Sequence, residues 1–192
     1  VLGAFANRLC EVIYERSLNQ RSGQMNTKEL MVLLNKCWMS HDGMWFFHCC
    51  QEFGIEAANR LNQSAIASLA PLEIARFKKA LGYAGGDMTT FDQFRDFFTR
   101  AAELVIPDFM GGRFFFEEKS TLTMEMKPQQ CFAYKGMQRI GVIDQYECGV
   151  HYRIECWIKA LGIAYQTVPN TNHCRMHTEG ACLKSFRLSF DL

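Results

Sequence analysis

The sequence predicts an α+β fold in which a helical N-terminal part packs on a C-terminal antiparallel sheet that carries two helices. Apolar residues recur at intervals of three and four through the first half, and they alternate with polar residues along short segments of the second half. The turn signal Glu179-Gly180 separates the last two of these segments. We therefore expect a helical part over 1–105 and a thiol-rich α+β part over 106–192, together forming one compact unit.

Capping and breaking residues divide the first half into helices. Asn26, followed three residues later by Glu29, is typical of a capping box, and Thr90 begins a similar pattern. Ser40 is expected to cap a separate helix, and Pro71 is expected at the first position of another. These signals predict helices over 2–17, from Asn26 to Trp38, from Ser40 to Phe53, over 55–69, over 72–81 and from Thr90 to about Leu104.

The second half mixes strands and helices. Period-two alternation predicts strands over 113–120, 121–127, 163–168, 173–177 and 181–190. Amphipathic spacing predicts helices over 129–139 and 148–161. The last strand should present Cys182, Lys184, Phe186, Leu188 and Phe190 on one face.

Composition excludes several classes of protein. The chain has 192 residues, 48% of them hydrophobic, so it can build a core and is not disordered as a whole. The formal net charge is +1, and neither half forms a basic patch, so a nucleic-acid partner is not expected. No apolar run is long enough to span a bilayer, so we expect no membrane partner.

Cysteine usage indicates a reducing compartment. The nine cysteines are an odd number in a core-rich chain, unlike a secreted disulfide scaffold. Charged residues interrupt the apolar residues of 1–17, so we expect no signal peptide there and a cytoplasmic protein. The chain begins with Val1, which leaves open whether residues precede it.

Four of the cysteines in the second half form a candidate zinc site. Cys131 and Cys148 stand at predicted helix starts, where the helix dipole favours a thiolate. Cys174 and Cys182 flank the predicted hairpin turn, so their side chains could meet, and four thiolates suit tetrahedral Zn²⁺. An imidazole could replace one thiolate, and the alternative ligands are His173 and His177. The competing interpretation is buried free cysteine, which we expect in any case for Cys156.

A second group of residues predicts a ligand pocket. His41, Trp45 and His48 follow at i, i+4 and i+7 and so share one helical face, with Asp42 beside them. Two imidazoles and an indole could line a pocket for a small aromatic or anionic molecule, and a histidine could act as a base near neutral pH. The alternative is a helix N-terminus followed by core aromatic residues.

The thiol-rich segment resembles known families. The arrangement of Cys131, Cys148 and Cys174-Arg-Met-His-Thr-Glu-Gly-Ala-Cys182-Leu-Lys-Ser-Phe186 is similar to the C-terminal half of the vinyl-reductase-type superfamily of small-molecule-binding domains. That superfamily includes sensor domains of aromatic-responsive regulators, in which the last cysteines of the arrangement hold a zinc. The segment also resembles the family of L-2-amino-thiazoline-4-carboxylic acid hydrolases.

From about residue 30 to 190 the chain resembles a related family of uncharacterised bacterial cytosolic proteins. The resemblance includes the motif His41-Asp42-Gly43-Met44-Trp45-Phe46 and the pattern Gly-x-x-x-Ala-x-x-x-Asn, here Gly54, Ala58 and Asn62. The sensor domains have a carboxylate shortly before the penultimate cysteine, whereas this chain has Asn170-Thr171-Asn172-His173. The resemblance thus implies a vinyl-reductase-domain-like fold and a zinc site whose fourth ligand is either Cys131 or His173.

Two functions of different classes follow. The first is a small-molecule-binding protein with a structural zinc on thiolates and an organic ligand held between the helical part and the sheet, near the His41 face. The alternative is a hydrolase of a small cyclic amide or thiazoline-like compound, with Cys131 or Cys174 as nucleophile and His48 or His173 as base, or with water on a three-thiolate zinc. Near-neutral charge and sixteen phenylalanines are also compatible with a homo-oligomer or a subunit of a larger complex.

Overall fold

A computed structural model describes residues 25–83, 88–117 and 120–190. The helix expected over 2–17 lies outside the described residues. The chain divides into two compact units, residues 1–40 and 41–192, and the second contains all the secondary structure that positions the candidate site.

The fold is α+β, with helices first and a four-stranded sheet with further helices after them. The helices are α1 (Thr27–Phe53), α2 (Ile55–Ala80), α3 (Phe91–Val105), α4 (Phe132–Arg139), α5 (Gly149–Ala160) and α6 (Arg175–Thr178). The strands are β1 (Gly112–Glu117), β2 (Thr121–Met126), β3 (Ala164–Val168) and β4 (Cys182–Ser189). Short 3₁₀ turns lie at Asp108–Met110 and Ile143–Gln145.

Helix α1 begins as the sequence predicts but is longer. The Asn26 side chain accepts from the Glu29 N–H at 3.0 Å, and the Glu29 carboxylate accepts from the Asn26 N–H at 2.9 Å, which is the reciprocal bonding of a capping box. The prediction that Ser40 caps a second helix is wrong. Between Asn26 and Gly43 the chain contains no proline or glycine, and the helix continues through Ser40 to Phe53.

Helix α2 also joins two predicted helices. Pro71 lies inside it rather than at a first position, so that prediction is wrong as well. Proline lacks the N–H that would bond to the carbonyl of Ala67, but Ala67 is exposed and water can satisfy that carbonyl. Gly54, with φ of 80°, separates α1 from α2, since a positive φ is accessible to glycine.

The sheet is antiparallel throughout, in the order β1-β2-β4-β3. Strand β4 shows the predicted alternation, with Cys182, Lys184, Phe186 and Leu188 buried on one face. The hairpin predicted over 173–190 is wrong in its first strand and correct in its second. Residues 175–178 form the short helix α6, and β4 pairs with β2 and β3 instead of with that segment.

An aromatic core joins the helices to the sheet. Phe94 and Phe98 of α3 pack against Phe114 and Phe116 of β1, with ring centroids 5.0–6.4 Å apart. Trp157 of α5 contacts the rings of α2 and α3, and its indole N–H donates to the Glu73 carboxylate at 2.7 Å. Within the described ranges, no helix combines the length and apolar character that a membrane span requires.

Candidate functional site

Three of the four predicted zinc ligands begin helices. Cys131, Cys148 and Cys174 are the N-cap residues of α4, α5 and α6. None makes a regular capping hydrogen bond. Burial raises the pKa of each thiol, and the backbone N–H groups two and three residues further on, which face the sulfur, oppose that rise. The same local arrangement therefore occurs three times, and each sulfur meets the positive end of a helical turn.

The fourth cysteine comes from the sheet. Cys182 is the first residue of β4, pairs with Met126 of β2 and is buried. The turns around Cys148 and Cys174 are joined by the backbone, because the Cys148 N–H donates to the Asn172 carbonyl at 2.6 Å and Glu147 forms a β-bridge with His173. Backbone pairing thus brings segments from three parts of the chain to one place.

The four thiols are close enough to affect one another's ionisation. Burial and, as a smaller contribution, the neighbouring thiols Cys131 and Cys174 raise the pKa of Cys148 to about 12. Burial and the other three thiols likewise raise the pKa of Cys182 to about 12. A cluster of thiolates is therefore unfavourable here without a cation, since each added negative charge opposes the next.

The donor set has the chemistry of a zinc site. All four thiols are free, with Cys131, Cys174 and Cys182 buried and Cys148 half-buried. As the side chains stand, however, no group of three or more His, Cys, Asp or Glu side chains in residues 25–83, 88–117 and 120–190 is arranged to hold a metal ion. The residue types and their neighbourhood suit zinc, whereas the sulfur positions are not those of a closed site.

His151 is a site residue that the sequence analysis missed. It lies in the first turn of α5, is 2% exposed, and places Nε2 3.3 Å from Cys182 Sγ. Burial, together with the nearby cations Lys184 and Arg175, lowers the pKa of His151 to about 3, so the ring is neutral. The spacing Cys148-x-x-His151 is the signal that could have identified it.

A buried cation lies beside the thiols. Lys184 is 2% exposed and follows Cys182 on the same face of β4. Its Nζ donates to Glu155 Oε1 at 2.7 Å and to the Thr171 carbonyl at 3.2 Å. Arg175 approaches as well and lowers the pKa of Cys182. Both cations are themselves paired with carboxylates, Lys184 with Glu155 and Arg175 with Glu179, so they are held in place near the thiols as ion pairs.

Amide side chains of α2 hold the turn that precedes Cys148. The buried Asn59 donates to the Gln145 carbonyl at 2.8 Å and accepts from the Glu147 N–H at 3.2 Å. Gln63 donates to the Glu147 carboxylate. A methyl group built on Gly149 would lie 2.8 Å from Asn62 Nδ2, which shows how closely α2 approaches the turn. Helix α2 thus fixes the position of Cys148.

The histidines proposed as alternative ligands lie elsewhere. His173 is exposed, and its backbone N–H donates to Thr171 Oγ1 at 3.3 Å. His177 Nε2 lies 2.7 Å from Asp144 Oδ1, so its ring pairs with a carboxylate. In the described part of the chain, neither the His173 nor the His177 imidazole contacts a thiol.

The predicted pocket residues lie on an exposed face of α1. His41, Asp42, Trp45 and His48 are all exposed, and the His41 and Trp45 rings meet edge to face at 6.5 Å. Phe46, between them in sequence, is buried and packs edge to face on Tyr146 at 5.6 Å. The face that α1 turns inward is therefore the Phe46 face, and the pocket remains a prediction.

Comparison with known proteins adds one partial similarity. Residues 21–99 match a protein family described as a family of unknown function (DUF6125). No curated protein and no solved structure matches the chain. The matched segment ends before the thiol-bearing turns but includes α2, the helix that holds the turn before Cys148.

Proposed function

We propose that this is a small-molecule-binding protein whose Cys131, Cys148, Cys174 and Cys182 side chains hold one structural zinc ion. The observation that carries the proposal is that four free thiols, at three helix starts and one strand start, lie within electrostatic range of one another. Four thiolates form the closed tetrahedral set of structural zinc sites. Small side-chain movements would have to bring the sulfurs from mutual electrostatic range to ligand distance.

The surroundings favour such a site electrostatically. Four thiolates on one divalent cation leave a surplus of negative charge, which needs compensation in a buried environment. Backbone N–H groups face three of the sulfurs, and Lys184 and Arg175 lie beside the fourth. The backbone groups supply partial positive charge without occupying a ligand position, and the two cations, each paired with a glutamate, place their positive ends on the same side.

Bound at this place, the ion would cross-link the starts of α4, α5 and α6 to β4. A structural zinc contributes its binding free energy to folding, because the unfolded chain has no preformed site. Retention of four thiolates requires a reducing compartment, so a cytoplasmic location is part of the proposal.

The hydrolase alternative gains less support. Burial raises the pKa of both candidate nucleophiles, Cys131 and Cys174, which lowers the thiolate fraction that a nucleophile needs. The two bases expected from the sequence, His48 and His173, are both exposed. Within the described residues, neither of them contacts Cys131 or Cys174, so the expected pairs of nucleophile and base are not formed.

Binding of a small organic molecule rests on the resemblance to the vinyl-reductase-type domains and on the exposed ring pair of His41 and Trp45. An aromatic ligand stacked there should quench tryptophan emission and raise the unfolding temperature. Trp45→Ala should remove both responses. Unchanged responses in that variant would exclude this face as the binding place.

Metal analysis tests the zinc site. Elemental analysis of protein purified anaerobically should find about one zinc per chain. Serine substitutions at Cys131, Cys148, Cys174 and Cys182 should each lower zinc retention, because serine is a poor zinc ligand. Cys156→Ser is the matched control. Cys156 is also buried in α5, but the groups that affect its ionisation are Tyr152, Glu155 and Lys159 rather than the four thiols.

Alkylation of the unmodified protein covers the case in which a serine variant does not fold. With zinc bound, the four thiols should resist iodoacetamide, and a chelator should make them reactive together. Zinc-free wild-type protein, or equal loss of zinc in Cys156→Ser, would contradict the proposal.

A further inference from the structure

His151 contacts two of the four thiol-bearing residues at once. Its backbone N–H is one of the two that face Cys148, and its ring Nε2 lies 3.3 Å from Cys182 Sγ. The side chain is 2% exposed, so both interactions occur away from water. One residue therefore links the sulfur at the start of α5 to the sulfur at the start of β4.

Cys182 differs from the other three cysteines in its hydrogen bonding. Cys131, Cys148 and Cys174 each precede a helical turn whose N–H groups face the sulfur. Cys182 instead begins a strand, and the His151 ring lies at hydrogen-bond distance from its sulfur, with Nε2 3.3 Å from Sγ. The imidazole can therefore give Cys182 the kind of N–H donor that the helical cysteines have from the backbone, and an N–H donor favours a thiolate.

The other ring nitrogen indicates which tautomer the site requires. Among the described residues, His151 Nδ1 is buried and has no hydrogen-bond partner. Among these residues, Nδ1 has no partner in either tautomer, but with the proton on Nδ1 it would be an unsatisfied buried N–H donor, which folded proteins tolerate less often than an unsatisfied acceptor. If Nε2 carries it, the ring donates to Cys182 and leaves a lone pair at Nδ1. The second arrangement is also the one that can stabilise a metal-bound thiolate.

We propose that His151 is a positioning residue of the zinc site, donating Nε2–H to the Cys182 thiolate and holding that sulfur as the fourth ligand. This inference rests on the zinc site proposed above. The four thiols already complete a tetrahedral set, so the imidazole acts through Cys182 and does not occupy a ligand position. Outer hydrogen bonds of this kind orient ligands and affect metal retention.

The test uses cobalt(II) in place of zinc and two substitutions. The His151→Gln side chain can place an amide N–H near the position of Nε2, whereas His151→Leu cannot donate. Metal loss to a chelator should become about 10- to 100-fold faster in His151→Leu, while His151→Gln should stay close to wild type. Sulfur-to-cobalt charge-transfer bands should have equal intensity in all three proteins and move to lower energy in His151→Leu. Ile154→Val, a buried change one turn along α5, controls for lost packing.

A measurement on the unmodified protein remains decisive if His151→Leu does not fold. In cadmium-loaded, ¹⁵N-labelled protein the His151 ring should carry its proton on Nε2. A proton on Nδ1, a cobalt spectrum of three sulfurs and one nitrogen, or wild-type metal retention in His151→Leu would overturn the positioning role. Wild-type protein that binds neither zinc nor cobalt would instead refute the underlying zinc site.

Discussion

Replacing Gly149 by alanine tests the close approach of α2 to the turn that carries Cys148. The added methyl carbon would lie 2.8 Å from Asn62 Nδ2, 3.1 Å from Ile66 Cδ1 and 3.4 Å from Tyr146 Oη. The first two distances are shorter than ordinary van der Waals contacts, so the neighbours must move by a few tenths of an ångström. All three neighbouring atoms are side-chain ends, which limits the strain to the low end of overpacking costs.

We expect Gly149→Ala to lower the free energy of unfolding by about 1 kcal/mol, since overpacking typically costs about 1–3 kcal/mol and alanine recovers part of this in a helix. Gly136→Ala is the matched control. Gly136 also lies in a helix, α4, and a methyl group there would meet nothing within 4 Å. That substitution should stabilise the protein by about 0.5–1 kcal/mol.

Urea unfolding followed by far-ultraviolet circular dichroism measures both changes. The two variants should differ by about 2 kcal/mol, with opposite signs relative to wild type. If Gly149→Ala is as stable as Gly136→Ala, then α2 does not constrain the turn as the structure indicates. The reasoning that connects α2 to the position of Cys148 would then fail.

Three further substitutions probe contacts around the site, each measured by urea unfolding. Asn59→Ala should cost about 1–3 kcal/mol, because it leaves two partly buried backbone groups of the 145–147 turn without partners. Glu73→Gln keeps an acceptor for Trp157 but loses the charge that pairs with a half-exposed Arg153, so it should cost only about 1 kcal/mol. Lys184→Met should cost about 3 kcal/mol, because it removes the cation from a largely buried ion pair.

Exposed counterparts provide the controls for the substitutions of Glu73 and Lys184. Glu56→Gln on α2 and Lys159→Met on α5 should each change the free energy of unfolding by less than about 0.5 kcal/mol. Lys184→Met combined with Glu155→Gln should recover part of the loss, since the remaining side chain is then uncharged. Equal losses at exposed and buried positions would contradict the importance assigned to these contacts.

The parts of the fold that depend on local chemistry could be predicted from the sequence. The reciprocal bonding at Asn26 and Glu29 needs only four consecutive residues, and the Thr90 side chain accepts from the Gln93 N–H at 3.3 Å in the same way. The alternation of buried and more exposed residues along β4 could also be predicted from the sequence, because a strand with one buried face has a period of two residues.

Features set by distant contacts could not be predicted in this way. The segment before Cys182 alternates as a strand would, yet β4 takes its partners from β2 and β3, which leaves residues 175–178 to form a helical turn. Pro71 stays within α2 because packing on both sides of it outweighs one lost hydrogen bond. His151 was overlooked for the same reason, since its neighbour Cys182 is 31 residues away.

The hydrogen bonds that join Asn59 to Gln145 and Glu147 can form only late during synthesis on the ribosome. Gln145 and Glu147 follow Asn59 in the chain by 86 and 88 residues. At typical elongation rates they therefore emerge about 4 to 17 s after Asn59. The sulfurs at positions 148, 174 and 182 follow them out of the exit tunnel. Until Gln145 and Glu147 emerge, the nascent chain contains α2 but neither the turn that Asn59 holds nor the three sulfurs that follow that turn.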